Sequence, residues 1–567
     1  MQIFELIYQN HTFMLKGHPK GLYVAFFANM GERFGYYTML AIFTLYLQAK
    51  FGFSTTTAGH YYGGFLFGIY FLPLIGGIMA DKVWGYGKTI TIGTVVMFLG
   101  YLLLAIPGQG LILMVSALAV ISLGTGFFKG NLQALVGNMY DDPKYSANRD
   151  NAFNIFYMGI NIGAFFAPSA ATGISNLILK KSGLFYNTQI PNMAHLYLDG
   201  KLKDTAELLK LAHQQLGDKF TDLTQFSHLY LDTLSKSYNA GFALAAISMV
   251  VSLLIFIGFR KYYKTADVTE KQKSMDVNMK DKMVHMTPEA TRKRLVALLL
   301  VFFVVMFFWM AFHQNGFTMT VFARDYTQSL VSRFTYMFFD LSAFLPLLFA
   351  IIGLIMTFSR KLASKFRLIG FGVFVVGSII TGMVYNSYDD TMKISPQLFQ
   401  HFNPIFIVFL TPLIVGFFTM LRKMGKEPSS PKKIGIGMIL TALGFTLLIL
   451  ASRNLMSPGA LHGNVSDSLV SPYWLISTYF TLTIAELFLS PIGISFVSKV
   501  APPKYKGLAQ GGWLGATAIG NLMAGLIGKF WDTLELWQFF LILVVMCLVS
   551  AAFIFMILKR LERASEA

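Results

Sequence analysis

The apolar positions of this chain fall into long blocks, not into the short alternations of strands or the one-sided stripes of soluble helices. Each block is long enough to cross a bilayer, for which about 20 residues suffice. Loop punctuation separates about 14 of them, near 22–48, 59–80, 89–106, 111–136, 152–180, 239–259, 295–323, 334–358, 366–386, 403–421, 434–452, 472–497, 508–530 and 537–558. The pattern predicts an all-α polytopic membrane protein and excludes a soluble enzyme, a disordered chain and a coiled coil.

Composition agrees and adds little: 55% of the 567 residues are hydrophobic and only 13% are charged, about half the charge of a soluble domain. The first apolar run begins near Leu22, after a mixed polar segment, without a short hydrophobic stretch and small-residue cleavage site. It reads as a retained span and not as a cleaved signal. One cysteine, Cys547, allows no internal disulfide.

The net charge of +18, from 46 basic and 28 acidic residues, changes the picture only through its location. Alternate connections carry the basic residues: Lys82 and Lys88 after the second span; Arg260 to Arg294 after the sixth, with Lys271, Lys273, Lys280 and Lys282 among them; Arg360, Lys361, Lys365 and Arg367; Arg422 to Lys433; and Lys499, Lys504 and Lys506. The intervening connections are poor in basic residues, as in 386–402 and 530–536. Basic loops stay on the cytoplasmic side, so both ends are expected in the cytoplasm. No nucleic-acid partner is needed to explain the charge; the partner is the lipid bilayer. The segment 181–238 is a long outside insert in which Leu202, Ala206, Leu209 and Leu216 follow helical spacing, which predicts a small helical cap. The segment 260–294 reads as a basic cytoplasmic linker between halves.

The candidate chemistry lies in polar residues inside the spans, where an ionisable group costs about 2.5–3.5 kcal/mol on insertion scales. The first span contains Asn29, Glu32, Arg33, Tyr36 and Tyr37. Glu32 and Arg33 project about 100° apart, so each is expected to find a partner on another helix or in a wet cavity, not simply each other. The alternative is an ion-pair network that only locks helices together. The fourth span carries Lys129 among small residues, either at depth or snorkelling to the inner surface. In the fifth, Asn161 between Gly159 and Gly163 suits helix–helix contact or a ligand. In the twelfth, Glu486 precedes Pro491 by about a turn and predicts a broken or kinked helix beside a cavity. Counted as six spans, two extra and six, Lys129 and Glu486 fall on the fourth span of each half, a plausible bipolar site for a zwitterion. Gly87-Lys88-Thr89 lacks the upstream glycine of a phosphate loop, and no zinc or Gly-x-Ser-x-Gly pattern occurs, so no enzyme site, metal site or cofactor is predicted.

These residues resemble a known family. Glu32-Arg33-Phe34-x-Tyr36-Tyr37 and Phe156-Tyr157-x-x-Ile160-Asn161-x-Gly163 resemble the first- and fifth-helix signatures of the proton-dependent oligopeptide transporters of the major facilitator superfamily. Gly76-Gly77-x-x-Ala80-Asp81, Gly124-x-Gly126-x-x-Lys129, Asn403-Pro404, Glu486-x-x-x-Ser490-Pro491 and Gln510-Gly511-Gly512-Trp513 extend the likeness along the chain in family order. The resemblance implies a major facilitator fold of two six-helix bundles plus two additional helices: a first bundle over 1–259, the first helix of the second bundle at 295–323, an inserted pair at 334–386, and the remainder at 403–567. It implies proton-driven import of di- and tripeptides by alternating access, in the cell's inner membrane, by a functional monomer. Carried over residue by residue, Arg33 and Lys129 hold the peptide carboxylate and Glu486 and Asn161 its amino end, while Tyr36, Tyr70 and Trp513 line side-chain pockets.

Three departures mark a divergent branch. Asn29 stands where the family's first-helix motif has a glutamate, Phe312-His313-Gln314 offers histidine in place of an acid, and the extra spans follow the seventh helix instead of the sixth. Proton coupling is then expected to run through Glu32, Glu486 and His313, with His313 as a plain hydrogen-bonding residue the alternative. A carrier of another anion or zwitterion such as nitrate or an amino-acid conjugate, a facilitator without proton coupling, and a transport-inactive receptor are the competing functions.

Overall fold

In a bilayer the backbone must satisfy its own hydrogen bonds, so long apolar blocks become helices. The structure, a computed structural model, describes residues 17–269, 286–359, 362–461, 465–502 and 505–566. The basic residues Lys271, Lys273, Lys280, Lys282, Arg360, Lys361 and Lys504 lie outside the described residues.

The first half is built from α1 (Lys20–Phe51), α2 (Thr55–Met79), α3 (Tyr86–Leu104), α4 (Leu111–Asn138) and α5 (Arg149–Lys181). Two short helices, α6 (Ile190–Leu198) and α7 (Ala206–Leu216), precede α8 (Leu223–Gly258). The second half opens with α9 (Pro288–Phe312), a 3-10 turn at His313–Gly316 and α10 (Thr318–Asp325). After a single turn of helix, α11 (Arg333–Tyr336), come the paired α12 (Leu341–Phe358) and α13 (Ser364–Asn386). The rest is α14 (Phe402–Lys423), α15 (Ser430–Ser452), α16 (Pro472–Val500), α17 (Lys506–Leu526), α18 (Leu536–Met556) and the short α19 (Leu558–Glu566). Among the described residues, 12 helical segments are long and apolar enough by composition to cross a membrane. The charged α1 and the glycine-rich α17 pack among them as further members of the two bundles, in agreement with the expected all-α architecture.

Each half has its own apolar core. One gathers residues from α1 to α8, including Met39, Tyr62, Ile121 and Phe242. The other gathers α9, α10 and α14 to α19, including Phe308, Phe445, Leu489 and Phe540. The inserted α12–α13 pair packs mainly on itself, where Gly353 and Gly377 let the two backbones touch: an added Cβ would sit 2.5 Å from Phe374 N and 2.7 Å from Pro346 O. A two-stranded clasp, β1 (Leu330–Ser332) against β2 (Thr391–Lys393), antiparallel with Val331 opposite Met392, ties the ends of this insertion together.

Successive spans alternate in direction. The end where α1 begins and α18 finishes is called the terminal face below, and its opposite the far face. The segment between α5 and α8 is a cap on the far face of the first half: Ile190, Met193 and Ala194 enter the core, and His195 Nε2 lies 2.8 Å from the Ala49 carbonyl oxygen. Within it α6 and α7 supply the expected helices, with Leu202 in the turn between them. Three boundaries differ from the sequence reading, the first being that the inserted span read from 334 begins at Leu341. The sixth span starts at Leu223, so the end of 181–238 is helix: Asp222 caps it by accepting from Gln225 N, and Phe226, Tyr230 and Leu234 bury one face while polar residues mask the others. The seventh starts at Pro288 within 260–294, capped by the Thr287 side chain. The linker's described start is docked, not free, since Asp267 accepts from Gly87 N at 2.8 Å and Asn138 donates to the Ala266 and Val268 carbonyls.

Of the broken or kinked helix expected at Pro491, the break is absent: α16 continues as helix through Pro491. The break falls in the seventh span, at His313–Gly316.

Candidate functional site

Helix α1 presents Glu32, Arg33, Tyr36 and Tyr37 to the middle of the molecule. Glu32 is 1% exposed and Arg33 3%, with Arg33 Nε 2.8 Å from Glu32 Oε2. This overturns the expectation that neighbouring residues would not pair. Two long side chains can fold around the helix surface to meet, and a buried charge without a counter-charge costs more than the bend. The contact is of charge more than of alignment, since neither Arg33 Nε nor either Glu32 oxygen makes a hydrogen bond of ordinary geometry. The guanidinium also lies over the Tyr36 ring, 5.3 Å from its centre, and Tyr36 packs edge-on to Tyr37 at 4.9 Å.

Lys129 does not snorkel. Its ammonium sits 3.5 Å from the centre of the Tyr70 ring, on α2, and within electrostatic reach of Glu32 and Arg33. A partly buried cation over an aromatic face gains about 1–2 kcal/mol, which favours the side chain lying along Tyr70. The small residues beside it do the approach: at Gly76 an added Cβ would be 2.0 Å from Gly126 O, so α2 and α4 touch backbone to backbone and carry Tyr70 to Lys129.

On α5 the two readings of Asn161 separate. Gly159 and Gly163 make the helix contact, meeting Phe26 and the Met30 carbonyl of α1. Asn161, two residues from each, projects from the opposite side and donates to the Tyr157 carbonyl of its own helix, 3.1 Å away. Tyr157 shares that face, within reach of Arg33. Asn29, the non-titrating departure, is buried and donates to the Phe156 carbonyl at 3.4 Å, a tie between α1 and α5.

The second half contributes a different arrangement. Glu486 of α16 is half-buried, and its Oε2 accepts from Asn403 Nδ2 at 3.0 Å; the same amide donates to Thr483 Oγ1 at 3.1 Å. No salt bridge involves Glu486 among the described residues. His313 stands in the break of the seventh span, 7% exposed, with Nδ1 3.2 Å from the Trp309 carbonyl oxygen and its ring edge-on to Tyr70 at 6.1 Å. The Tyr62 hydroxyl donates to the His313 carbonyl at 3.2 Å. Trp513 is buried where Gly493 leaves room for it, about two turns from Glu486: a Cβ there would lie 2.1 Å from the indole.

Tyr37 and Tyr70 join the two sets. Each lies within electrostatic reach of Arg33 and Glu32 on one side and of Glu486 on the other. The arrangement gathers cations on the first half and a carboxylate on the second around the same tyrosines, charges that suit a molecule with an anionic and a cationic end. Sequence reasoning named Tyr37 in the first span without giving it a role, and carried Tyr157 and Asn403 only as letters of a motif. The signals were present: Tyr157 precedes Asn161 by four residues, and Asn403 is a polar residue opening an apolar span. Among the described residues no group of three or more His, Cys, Asp or Glu converges on a point as a metal site would require.

The halves are joined toward the far face. Arg324, paired with Asp325, donates to Gln48 Oε1 at 2.6 Å; Thr56 donates twice to Asp532; Thr44 Oγ1 donates to the Gly316 carbonyl; and Lys393 Nζ donates to the Tyr186 carbonyl. Gly59 and Gly525 bring α2 and α17 into backbone contact there.

Comparison with known proteins agrees with this fold. The chain is 27% identical over 550 residues to the uncharacterized transporter YclF of Bacillus subtilis, covering 91% of this chain and 90% of that protein. It is 26% identical over 538 residues to the peptide transporter YePEPT of Yersinia enterocolitica, covering 90% and 88%. Its fold matches a POT family transporter solved with a thioalcohol-conjugated peptide, at a TM-score of 0.66 and 20% identity, covering 96% of this chain and 98% of that one. It also matches a peptide transporter POT variant solved with alafosfalin, at 0.64 and 23%, covering 98% and 97%. The family model PTR2, of the POT family, matches residues 87–279 and 378–537, more than half of the chain. This protein belongs to the POT family.

Proposed function

We propose that the protein imports di- and tripeptides together with protons across the inner membrane, with both termini in the cytoplasm and one chain as the working unit. The observation that carries this is Tyr70 between the halves, with the Lys129 ammonium 3.5 Å from its ring centre on one side and His313 of the second half edge-on to it at 6.1 Å. A peptide of two or three residues carries one carboxylate and one ammonium, at a spacing a site between two bundles can span. Arg33 and Lys129 receive the carboxylate, through charge-assisted hydrogen bonds. Glu486 and Asn161 receive the amino end. Tyr70 and Tyr157 form the near wall, Tyr36 braces Arg33 from behind, and Trp513 backs the α16 side. Aromatic walls accept varied side chains without demanding specific hydrogen bonds.

Protons are carried by carboxylates whose partners change during the cycle. Glu486, held only by an amide, is the first of these; Glu32 is the second, when a substrate carboxylate competes for Arg33. His313, an imidazole at the hinge-like break of the seventh span, joins these two carboxylates as a third proton site. The proton gradient is the driving force and no bound cofactor enters.

The test is uptake of labelled di-alanine into proteoliposomes with and without an imposed pH gradient, with free alanine and nitrate as competitors. Uptake driven by the gradient and blocked by dipeptides alone is expected. Competition by nitrate would move the assignment to another anion, and no counterflow of labelled dipeptide by a folded protein would favour a receptor.

A further inference from the structure

Another ionisable group is buried between the two halves, away from the charged site. His401 is 0% exposed, and neither ring nitrogen makes a hydrogen bond of ordinary geometry. It ends the 3-10 segment Pro396–His401 that leads into α14. Its surroundings are aromatic: the rings of Phe402, Phe165, Phe339 and Phe344 lie 4.6, 5.9, 5.9 and 6.1 Å away. Phe165 belongs to α5 of the first half; the other three belong to the second half and its insertion.

The segment that carries His401 is itself a bridge between halves. Gln397 Nε2 donates to Thr172 Oγ1 of α5 at 3.0 Å, and Gln400 Nε2 donates to the Ala41 carbonyl of α1 at 3.3 Å and to Thr320 Oγ1 at 3.1 Å. Beside it, a lateral cavity of about 860 Å³ lies between α1, α5, α8 and the start of α12, and Phe166, Thr172, Phe339 and Leu398 form part of its wall. Unfilled space therefore flanks the contact between the halves close to His401.

We infer that His401 is a proton-linked positioning residue for transport: the dry aromatic cage holds the halves together around an uncharged imidazole, and proton uptake by His401 favours the arrangement in which this contact parts and the ring reaches water. The physical basis is linkage. A protonated ring has two N–H donors to satisfy, and the cage offers aromatic faces with only the Phe338 backbone near the ring. Ring faces attract a cation, but they do not replace two acceptors and a hydration shell. Water serves both forms, so protons bind more tightly to the parted state and stabilise it. Among the described residues the charged groups of the neighbouring elements are committed elsewhere. Asp340, from the segment before α12, accepts from the Tyr388 hydroxyl and Ser342 N; Arg324 of α10 is committed to Asp325 and Gln48; Lys393 donates to the Tyr186 carbonyl. His401 feels burial and the Phe338 backbone and no charged partner.

This rests on the symport reading for its use in transport, but its test does not require transport. Spin labels at Lys180→Cys, at the end of α5, and Ser468→Cys, in the far-face connection before α16, report the separation of the halves in a chain whose native Cys547 is buried. Without peptide, lowering the pH from about 8 to about 5 is expected to raise the long-distance population at least about fivefold, across the range where histidine ordinarily titrates. In His401→Phe, which keeps the cage full, and in His401→Gln, the rise is expected to stay under about twofold. An undiminished rise in either folded variant overturns the inference. Should both variants misfold, histidine C2–H exchange on the unaltered chain decides: His401 exchanging at pH 8 as fast as exposed His213 also overturns it. Failed di-alanine uptake with an intact pH-dependent separation would refute the transport reading and leave the latch.

Discussion

The two sides of the central site solve the same electrostatic problem in opposite ways. In the first half Glu32 and Arg33 neutralise each other, with Lys129 spread over the Tyr70 ring close by. In the second half Glu486 has only the Asn403 amide to hold it. A neutralised pair tolerates a dry environment, whereas a lone carboxylate must bind a cation or take up a proton when water leaves. On the proposed function this difference divides the labour: the first half offers cations for an anion beside a carboxylate that is already paired, and the second an acid whose charge state follows its partner more freely.

The sharpest way to break this division is Arg33→Ala. It leaves Glu32 buried without its counter-charge, a loss of about 3–5 kcal/mol. Uptake at sub-saturating peptide is expected to fall more than about 100-fold, and the melting temperature in detergent should drop as well. A normal melting temperature together with normal uptake would mean that the pair is neither structural nor functional. Glu486→Gln is expected to act differently. Stability should hardly change, because Asn403 can still donate to the amide oxygen, but gradient-driven accumulation should vanish. Apparent peptide affinity should weaken about tenfold, the loss of one charge-assisted contact, while counterflow at saturating peptide persists. Accumulation against a gradient by this variant would remove Glu486 from proton coupling.

Lys129 tests the first half alone. With its ammonium on the Tyr70 ring, Lys129→Gln and Tyr70→Leu should each raise the KM for di-alanine by about three- to thirtyfold. The double variant should cost less than the product of the two, since they break one interaction. Multiplicative losses would show that Lys129 and Tyr70 contact the peptide independently.

What could be read from the sequence follows the range of the physics involved. Spans, their order and the polar residues within them are local, and they were legible from block length and the cost of buried charge. Partners across helices were not. Glu32 and Arg33 looked unable to meet when only the helix angle was considered; the apolar surroundings, which make an unpaired charge intolerable, belong to the packed bundle. Asn161 was ambiguous until α1 was seen to seat Gly159 and Gly163, leaving the asparagine on the other side. The break of the seventh span was masked for the same reason. Pro491 is a familiar breaker, yet α16 absorbs it, while His313–Gly316 is held open by Tyr62 and Thr44 donating to its carbonyls from the other half. His401 carried no sequence signal at all, since its significance lies in the four rings that tertiary structure puts around it.

A third carboxylate calibrates the other two and gives the smallest effect. Glu427 lies in the connection between α14 and α15 on the terminal face, outside the membrane. It accepts from Arg422 at 2.6 Å and from Lys433 at 2.6 Å, and the Arg422 hydrogen bond leads in pushing its pKa down from 4.5 to about 2. Like Glu32 it is paired with cations, but solvent screens it: the Arg422 side chain is 72% exposed. A depressed carboxylate contributes stability that is fully present above its ordinary value and is lost as the pH falls through the folded one. Glu427→Gln should therefore lower stability at pH 7 by only about 1 kcal/mol after screening. The gap to the unaltered protein should shrink below about pH 4 and close toward pH 2. Transport should be untouched throughout. Thermal melts of both proteins at pH 7, 4 and 3 measure this, and a gap that does not narrow with acid would mean that Glu427 acts through packing and not through its charge. Set beside Arg33→Ala, the result isolates what burial adds to the same chemistry: two cation–carboxylate clusters in one chain, one worth little in water, the other holding the centre of the transporter together.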